Sequence, residues 1–421
     1  MRAMRCFLRE IGRRGNVTLA ATVAAICIVV GFATGFWLLF RVAYVIVVAI
    51  PLLYFWTRAM ANSLEVAVQR TSHRVTQGQP IEGHITVRSR SILPKVWLEV
   101  EDPSSIPGHS AQRVFTMGTR GVKSWDYRTR TRVRGVYTLG PVTVSASDPF
   151  GFFTFRRTFG ERTTVLVYPN APELPNFAIP PANLPGEGRF RRRTHNVTPN
   201  VAGLREYAPG DSFNRIHWPA TARKGEPMVK QFELDPASDI WVVLDLEAQH
   251  HVGEGEDGTE EAAVQVAAAV VRHFVNANRS VGLITFGDDL RVDEPDRGQS
   301  HFTRTLESLA LARAVGDASL SALLVEESRR FGRHTTVVVV TPSTDEQWAY
   351  TLMSLGARGV KVAAVLIEAD TFGPAPSPLP VYGTLAAAGI YAYTVKAQDD
   401  LRRVLSSGAD PALGRAMPEA R

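Results

Sequence analysis

Cysteine is almost absent from this chain. Of 421 residues only Cys6 and Cys27 are cysteines, both in or before an apolar segment, so no disulfide framework exists and nothing points to an oxidising compartment. The short motifs of common chemistries are missing too. There is no G-x-x-x-x-G-K-[ST] phosphate loop, no G-x-S-x-G elbow, no H-E-x-x-H helix and no C-x-x-C pair. Their absence predicts a protein that is not an enzyme and carries no cofactor. Neither sign of charge dominates: 47 Lys+Arg against 41 Asp+Glu give a formal net charge of +6, a local bias rather than a nucleic-acid-binding composition.

What is present is first of all a long stretch without charge. From Val17 to Trp56, Arg41 is the only charged residue. As one helix this stretch would measure about 60 Å, twice a bilayer core of about 30 Å, so two passes are expected. The break falls at Gly31 to Gly35, leaving spans over Val17–Ala33 and Phe36–Trp56. Trp37, Tyr44, Tyr54 and Trp56 suit the interfaces of a bilayer. Arg2, Arg5, Arg9, Arg13 and Arg14 precede the first span and Arg58, Arg70 and Arg74 follow the second. Basic flanks on both sides predict a two-pass protein of the plasma membrane with both termini in the cytoplasm. A cleaved signal peptide or one long span fits these flanks less well.

Composition then shifts several times. Residues 1–62 form the basic N-terminus and hairpin, and residues 63–169 alternate with period two between short turn signals, as in "LEVAVQR" and "KVWLEVED". That pattern predicts an antiparallel, sandwich-like β module. Its phenylalanines, Phe150, Phe152, Phe153, Phe155 and Phe159, read as core more readily than as a binding edge. Residues 170–200, with "PNAPELPNFAIPPANLPGEG" and "RFRRRTHN", read as a proline- and arginine-rich linker, suited to solvent or anionic lipid rather than to nucleic acid.

From 239 to 410 short β-branched runs, "IWVVLDL", "VGLITF", "TTVVVVT" and "VKVAAVLI", alternate with helical stretches over Thr259–Ala277, His301–Val315, Asp317–Phe331 and Asp345–Ala357. This predicts an α/β domain with a mainly parallel sheet, binding any ligand at the carboxyl ends of its strands. Residues 411–421 are a tail. Asp245 ends the first of these strands. The arrangement resembles the von Willebrand factor A domain, whose metal-ion-dependent adhesion site opens with D-x-S-x-S at this place. Glu247 and Gln249 stand where the serines would be, and Thr341-Pro342 where a Thr-Asp pair is expected, so the site reads as degenerate and no metal is predicted. A site from Asp245, Glu247, His250 and His251 is the alternative, although adjacent histidines in a loop usually point apart.

Between linker and α/β domain, 201–238 holds "EYAPGDSFNRIHWPATARKGE". Pro209-Gly210 reads as a turn, Asp211 as the N-cap of a short helix over "SFNRIHW" ended by Pro219, and Asp211, Arg215 and Arg223 as a charge cluster with Trp218 packed beneath. A clasp or protein-contact surface fits better than an anion site of Arg215, Arg223 and Lys224, which lacks a glycine-rich loop, or catalysis, for which His217 has no evident orienting carboxylate. Tyr207, Pro209, Gly210, Asp211, Arg215, Trp218, Ala222 and Arg223 together resemble the signature of domain-of-unknown-function family 58, and "RGVYTLGPVTVSASDPFGFF" the segment that precedes it. The resemblance implies association with MoxR-type AAA+ ATPases, whose partners often carry von Willebrand A-like domains. The expected function is therefore a membrane-anchored adaptor docking such an ATPase. The alternatives are a scaffold for cell-envelope synthesis or division and, further off, a metal-dependent enzyme.

Overall fold

The computed structural model describes residues 15–71, 73–177, 201–207, 216–232, 239–333 and 335–406, with backbone alone at 201–205 and 230–232. The chain divides into two compact units, Met1–Tyr168 and Pro169–Arg421.

The first unit opens with two apolar helices, α1 (Gly15–Thr34) and α2 (Trp37–Asn62), each long and apolar enough to cross a bilayer. Gly35, at φ +73°, makes the turn between them, a conformation that suits glycine. Arg41 lies over the Trp37 ring at 4.0 Å, near the turn. Helix α2 outruns the span expected for it: Thr57, Met60 and Ala61 are buried. Tyr54 is fully buried as well and meets Phe153 and Phe155 edge-on, so it serves packing rather than a bilayer interface.

Ten strands follow: β1 (Leu64–Arg70), β2 (Arg74–Thr76), β3 (Pro80–Ser89), β4 (Lys95–Glu101), β5 (Arg113–Met117), β6 (Val122–Arg130), β7 (Gly135–Leu139), β8 (Val142–Ser147), β9 (Thr154–Phe159) and β10 (Thr163–Tyr168). They form sheets of order β1-β3-β6, β5-β4-β8-β9 and β2-β10-β7. Pairing is antiparallel except that β2 and β10 run parallel. Alternating inward residues make one core: Ile85, Val87 and Trp125 face Leu98, Val100 and Val144, and Ala61 at the end of α2 joins them. Gly140, at φ +74° before Pro141, splits what reads as one long strand into β7 and β8, which enter different sheets. Of the phenylalanines, Phe153 is core whereas Phe150 is 70% exposed.

In the second unit β11 (Val201–Glu206) pairs antiparallel with β12 (Met228–Phe232), with helix α3 (Trp218–Lys224) between them in sequence. The main sheet has the order β15-β14-β13-β16-β17-β18, from β13 (Ile240–Asp245), β14 (Val281–Phe286), β15 (Leu290–Asp296), β16 (Thr336–Thr341), β17 (Lys361–Ile367) and β18 (Tyr391–Val395). All pairs are parallel except β14–β15. Strands β13 and β16 are buried at every position, as sheets covered on both faces require. Helices α4 (Thr259–Asn276) and α5 (Gln299–Leu311) cover the face of Val242 and Leu244. Helices α6 (Leu320–Glu326), α7 (Gln347–Ala357) and α8 (Leu379–Ala387) cover the face of Trp241 and Val243, and α9 (Leu401–Val404) returns to the first.

The start of the segment read as a linker is part of this unit. Ala171, Leu174 and Phe177 are buried in its core. Arg272 donates to the Ala171 carbonyl at 2.6 Å and pairs with Glu173 at 2.7 Å, and His273 Nδ1 lies 2.7 Å from the Leu174 carbonyl. Residues 178–200, including the arginine run, lie outside the described residues.

Candidate functional site

In a wound sheet, ligands meet the carboxyl ends of strands where the strand order reverses. Here the chain runs outward from β13 to β14 and β15 and then returns to place β16 on the other side of β13. Asp245 ends β13 and Thr341 ends β16, and the two meet at that point. Thr341 Oγ1 donates to Asp245 Oδ2 at 2.5 Å, and the Glu247 amide donates to Asp245 Oδ1 at 3.0 Å. Thr341 Oγ1 in turn accepts from the Ser343 amide at 2.8 Å. Burial pushes the Asp245 carboxyl up to about 6, against the lowering effect of these hydrogen bonds.

The neighbouring side chains have partners of their own. Glu247 accepts from Gln249 and lies 3.5 Å from His250 Nε2. His251 instead spans Thr259 Oγ1 at 3.2 Å and the Asp245 carbonyl at 3.1 Å. The two histidines therefore diverge. Two glycines in the adjoining loops pack closely on backbone: a Cβ on Gly287 would stand 2.5 Å from the Arg313 carbonyl oxygen, and one on Gly316 would stand 2.7 Å from that of Phe286. Among the described residues no group of three or more His, Cys, Asp and Glu converges as a metal cage. Both Asp245 oxygens are engaged and Pro342 offers none, so this donor set does not suit a hard cation. Asp245 itself is 2% exposed.

A second polar cluster lies at the ends of β17 and β18. Tyr382 donates to Glu368 Oε1 at 2.7 Å and lies 3.0 Å from Thr394 Oγ1, and Lys396 pairs with Glu368 at 3.2 Å. Burial raises the Tyr382 phenol above its usual range, with Glu368 adding to the effect. Glu368 directly follows the apolar run "VKVAAVLI", which marks the strand in the sequence; Tyr382 comes from α8, which has no period strong enough to show.

The signature stretch folds differently from its reading. Pro219 lies in the first turn of α3 and opens the helix rather than ending one, since a proline there forfeits no helical hydrogen bond. The N-cap is His217, whose Nδ1 accepts from the Ala220 amide at 3.2 Å, and Gly225 at φ +76° closes the other end. Trp218 is 66% exposed instead of packed beneath a charge cluster, and Arg223 is exposed too. The start of β12 and the residue before it hold both flanks of the stretch: the Tyr207 amide donates to the Pro227 carbonyl at 2.9 Å and the His217 amide to that of Met228 at 2.7 Å. Pro209, Gly210, Asp211 and Arg215 lie outside the described residues.

Residues 203–389 match the family described as "Protein of unknown function DUF58". The chain is 23% identical to "Uncharacterized protein YeaD" of Bacillus subtilis over 72% of its own length and 75% of that protein's. It is 27% identical to an uncharacterized protein of Mycobacterium bovis over 39% of its length, spanning about half, 53%, of that relative. Among solved structures, proximal thread matrix protein 1 from the mussel byssus is 16% identical, with 40% of this chain and 46% of that one covered and a TM-score of 0.29. A CARDB domain from Pyrococcus furiosus is 12% identical, with 25% and 91% covered and a TM-score of 0.19. Neither likeness carries an argument. The family match runs from β11 through the signature stretch and the strand-end site to the residues after α8, and on it this part of the chain is a DUF58 region.

Proposed function

We propose that this protein is a membrane-anchored, non-catalytic adaptor. In this reading α1 and α2 cross the plasma membrane with both chain termini on the cytoplasmic side, and the α/β unit docks a protein partner, for which the family resemblance implies a MoxR-type AAA+ ATPase. The observation that carries the docking role is Trp218. An indole left 66% exposed at the start of a capped helix, with Arg223 and Lys224 in its last turn, has the composition of an interface anchor. The strand order supports a von Willebrand A-like reading of the unit, with antiparallel β15 at the edge and an aspartate ending the central strand β13. The engaged state of Asp245 supports a role in shape rather than metal chemistry.

The test is crosslinking in native membranes followed by affinity purification with and without ATP. A AAA+ ATPase enriched in a nucleotide-dependent way, and lost at least tenfold in Trp218→Ala, is the expected result. Capture of envelope-synthesis or division proteins alone would replace the adaptor reading with the scaffold one.

A further inference from the structure

We propose that the end of the β module from which α2 emerges lies on the bilayer itself, its loops inserted into the interfacial region of the leaflet. Three separate turns converge there. The β3–β4 turn carries Ile92, 69% exposed; the β5–β6 turn leads into Val122, 53% exposed; the β8–β9 turn carries Phe150, 70% exposed. Hydrogen bonds hold these turns beside the root of α2. The Arg90 amide donates to the Ser63 carbonyl at 2.9 Å and the Arg120 amide to that of Ser91 at 3.0 Å. Trp56 Nε1 donates to the Pro94 carbonyl at 3.4 Å, and Phe153 packs on Tyr54.

Depth follows from the same contacts. Phe150 and Phe152 line an apolar groove of about 490 Å³ together with Leu19 and Val23 of α1 and Ile46 and Ile50 of α2. Leu19 is four residues into α1, about 6 Å along its axis. A bilayer spanned by α1 therefore meets Phe150 at the boundary between headgroups and acyl chains, where aromatic rings partition well. The surface around Phe150 is continuous with that of the hairpin, and exposed apolar tips on three turns at one end of a sandwich have no role in water. The rim carries an excess of cations: Arg90, Arg120 and Lys123 are exposed there against Glu65, which pairs with Arg90 at 2.5 Å. The partner is thus a leaflet bearing anionic lipid.

This inference rests on α1 and α2 crossing the membrane, and the experiment separates the two. The full chain, with Cys6 and Cys27 replaced by serine, is reconstituted in vesicles of phosphatidylcholine and phosphatidylglycerol. Nitroxide labels are placed singly at Phe150→Cys, Ile92→Cys, Val29→Cys within α1 and Arg130→Cys, which is exposed at the opposite end of β6. The expected result is collision with oxygen above collision with a water-soluble nickel chelate at Phe150 and Ile92 as well as at Val29, with nickel collisions several-fold higher at Arg130. Lipid-like behaviour at Val29 with water-like behaviour at Phe150 and Ile92 would overturn the proposal and leave the hairpin standing. Water-like behaviour at Val29 would remove both.

Discussion

At the scale of single residues the most informative group is Asp245. Burial raises its folded-state carboxyl to about 6 from the ordinary 3.8 of an aspartate. Between those values the folded chain holds a proton that the unfolded chain has released, so stability falls as pH rises through the window and stays reduced above it. That difference corresponds to about 3 kcal/mol at most. Asp245→Asn, which keeps the shape and removes the charge, should therefore stabilise the α/β unit by about 1–3 kcal/mol at pH 8 and by almost nothing at pH 4. Urea unfolding of the detergent-solubilised chain, read on Trp241 and Trp348, measures it. Gly316→Ala acts in the opposite sense, because its Cβ would stand 2.7 Å from one carbonyl oxygen and 3.1 Å from another; a loss of about 1–3 kcal/mol is expected in the same assay. Asp245 was legible in the sequence because it ends a run of β-branched residues. Its closure by Thr341, 96 positions away, was not, since only the strand order brings the two together.

At the scale of elements, legibility followed burial. Strands β13, β14, β16 and β17 are buried on both faces, and their apolar runs mark them in the sequence. Strand β15, "LRVDEPD", does not show, because an edge strand needs few apolar residues and this one carries three carboxylates. Strand β9, "TFRRTF", likewise has no fully buried residue. Proline misled in two places for one reason: its meaning depends on what lies next to it. Pro219 opens α3 because a capping side chain precedes it, and the prolines after Tyr168 accompany a strap rather than a free connector. Phe177 is the pin of that strap, stacked near Tyr393 at 4.9 Å and edge-on to Phe274 at 5.9 Å. Phe177→Ala should cost about 3–5 kcal/mol. Amide exchange across residues 170–177, much faster in the variant, would tie that loss to the strap rather than to the unit as a whole.

At the scale of the molecule, the hairpin and the β module do not meet at the residue where hydrophobicity ends. The sequence draws that boundary after residue 62, where the apolar stretch gives way to alternation. The structure makes the last turns of α2 part of the module: Ala61 shares a core with Leu98 and Val100, Arg157 donates to the Ala61 carbonyl at 3.1 Å, and Tyr54 covers Phe153. A membrane helix and a soluble core can share residues because both are built from apolar side chains, and composition cannot say which neighbour a given one has. A soluble form of the module therefore has to keep this helical end. A chain beginning at Ser63 should lose the cover of Phe153, at a cost of about 3–5 kcal/mol, comparable to deleting a large aromatic from a core. A chain beginning at Leu53 retains Tyr54, Thr57, Met60 and Ala61 and should keep a cooperative transition. Thermal unfolding of the two, followed by the near-ultraviolet signal of Trp97 and Trp125, decides it. Equal midpoints would mean that α2 only leans on the module, and a much lower midpoint for the shorter chain would mean that the helix is built into it.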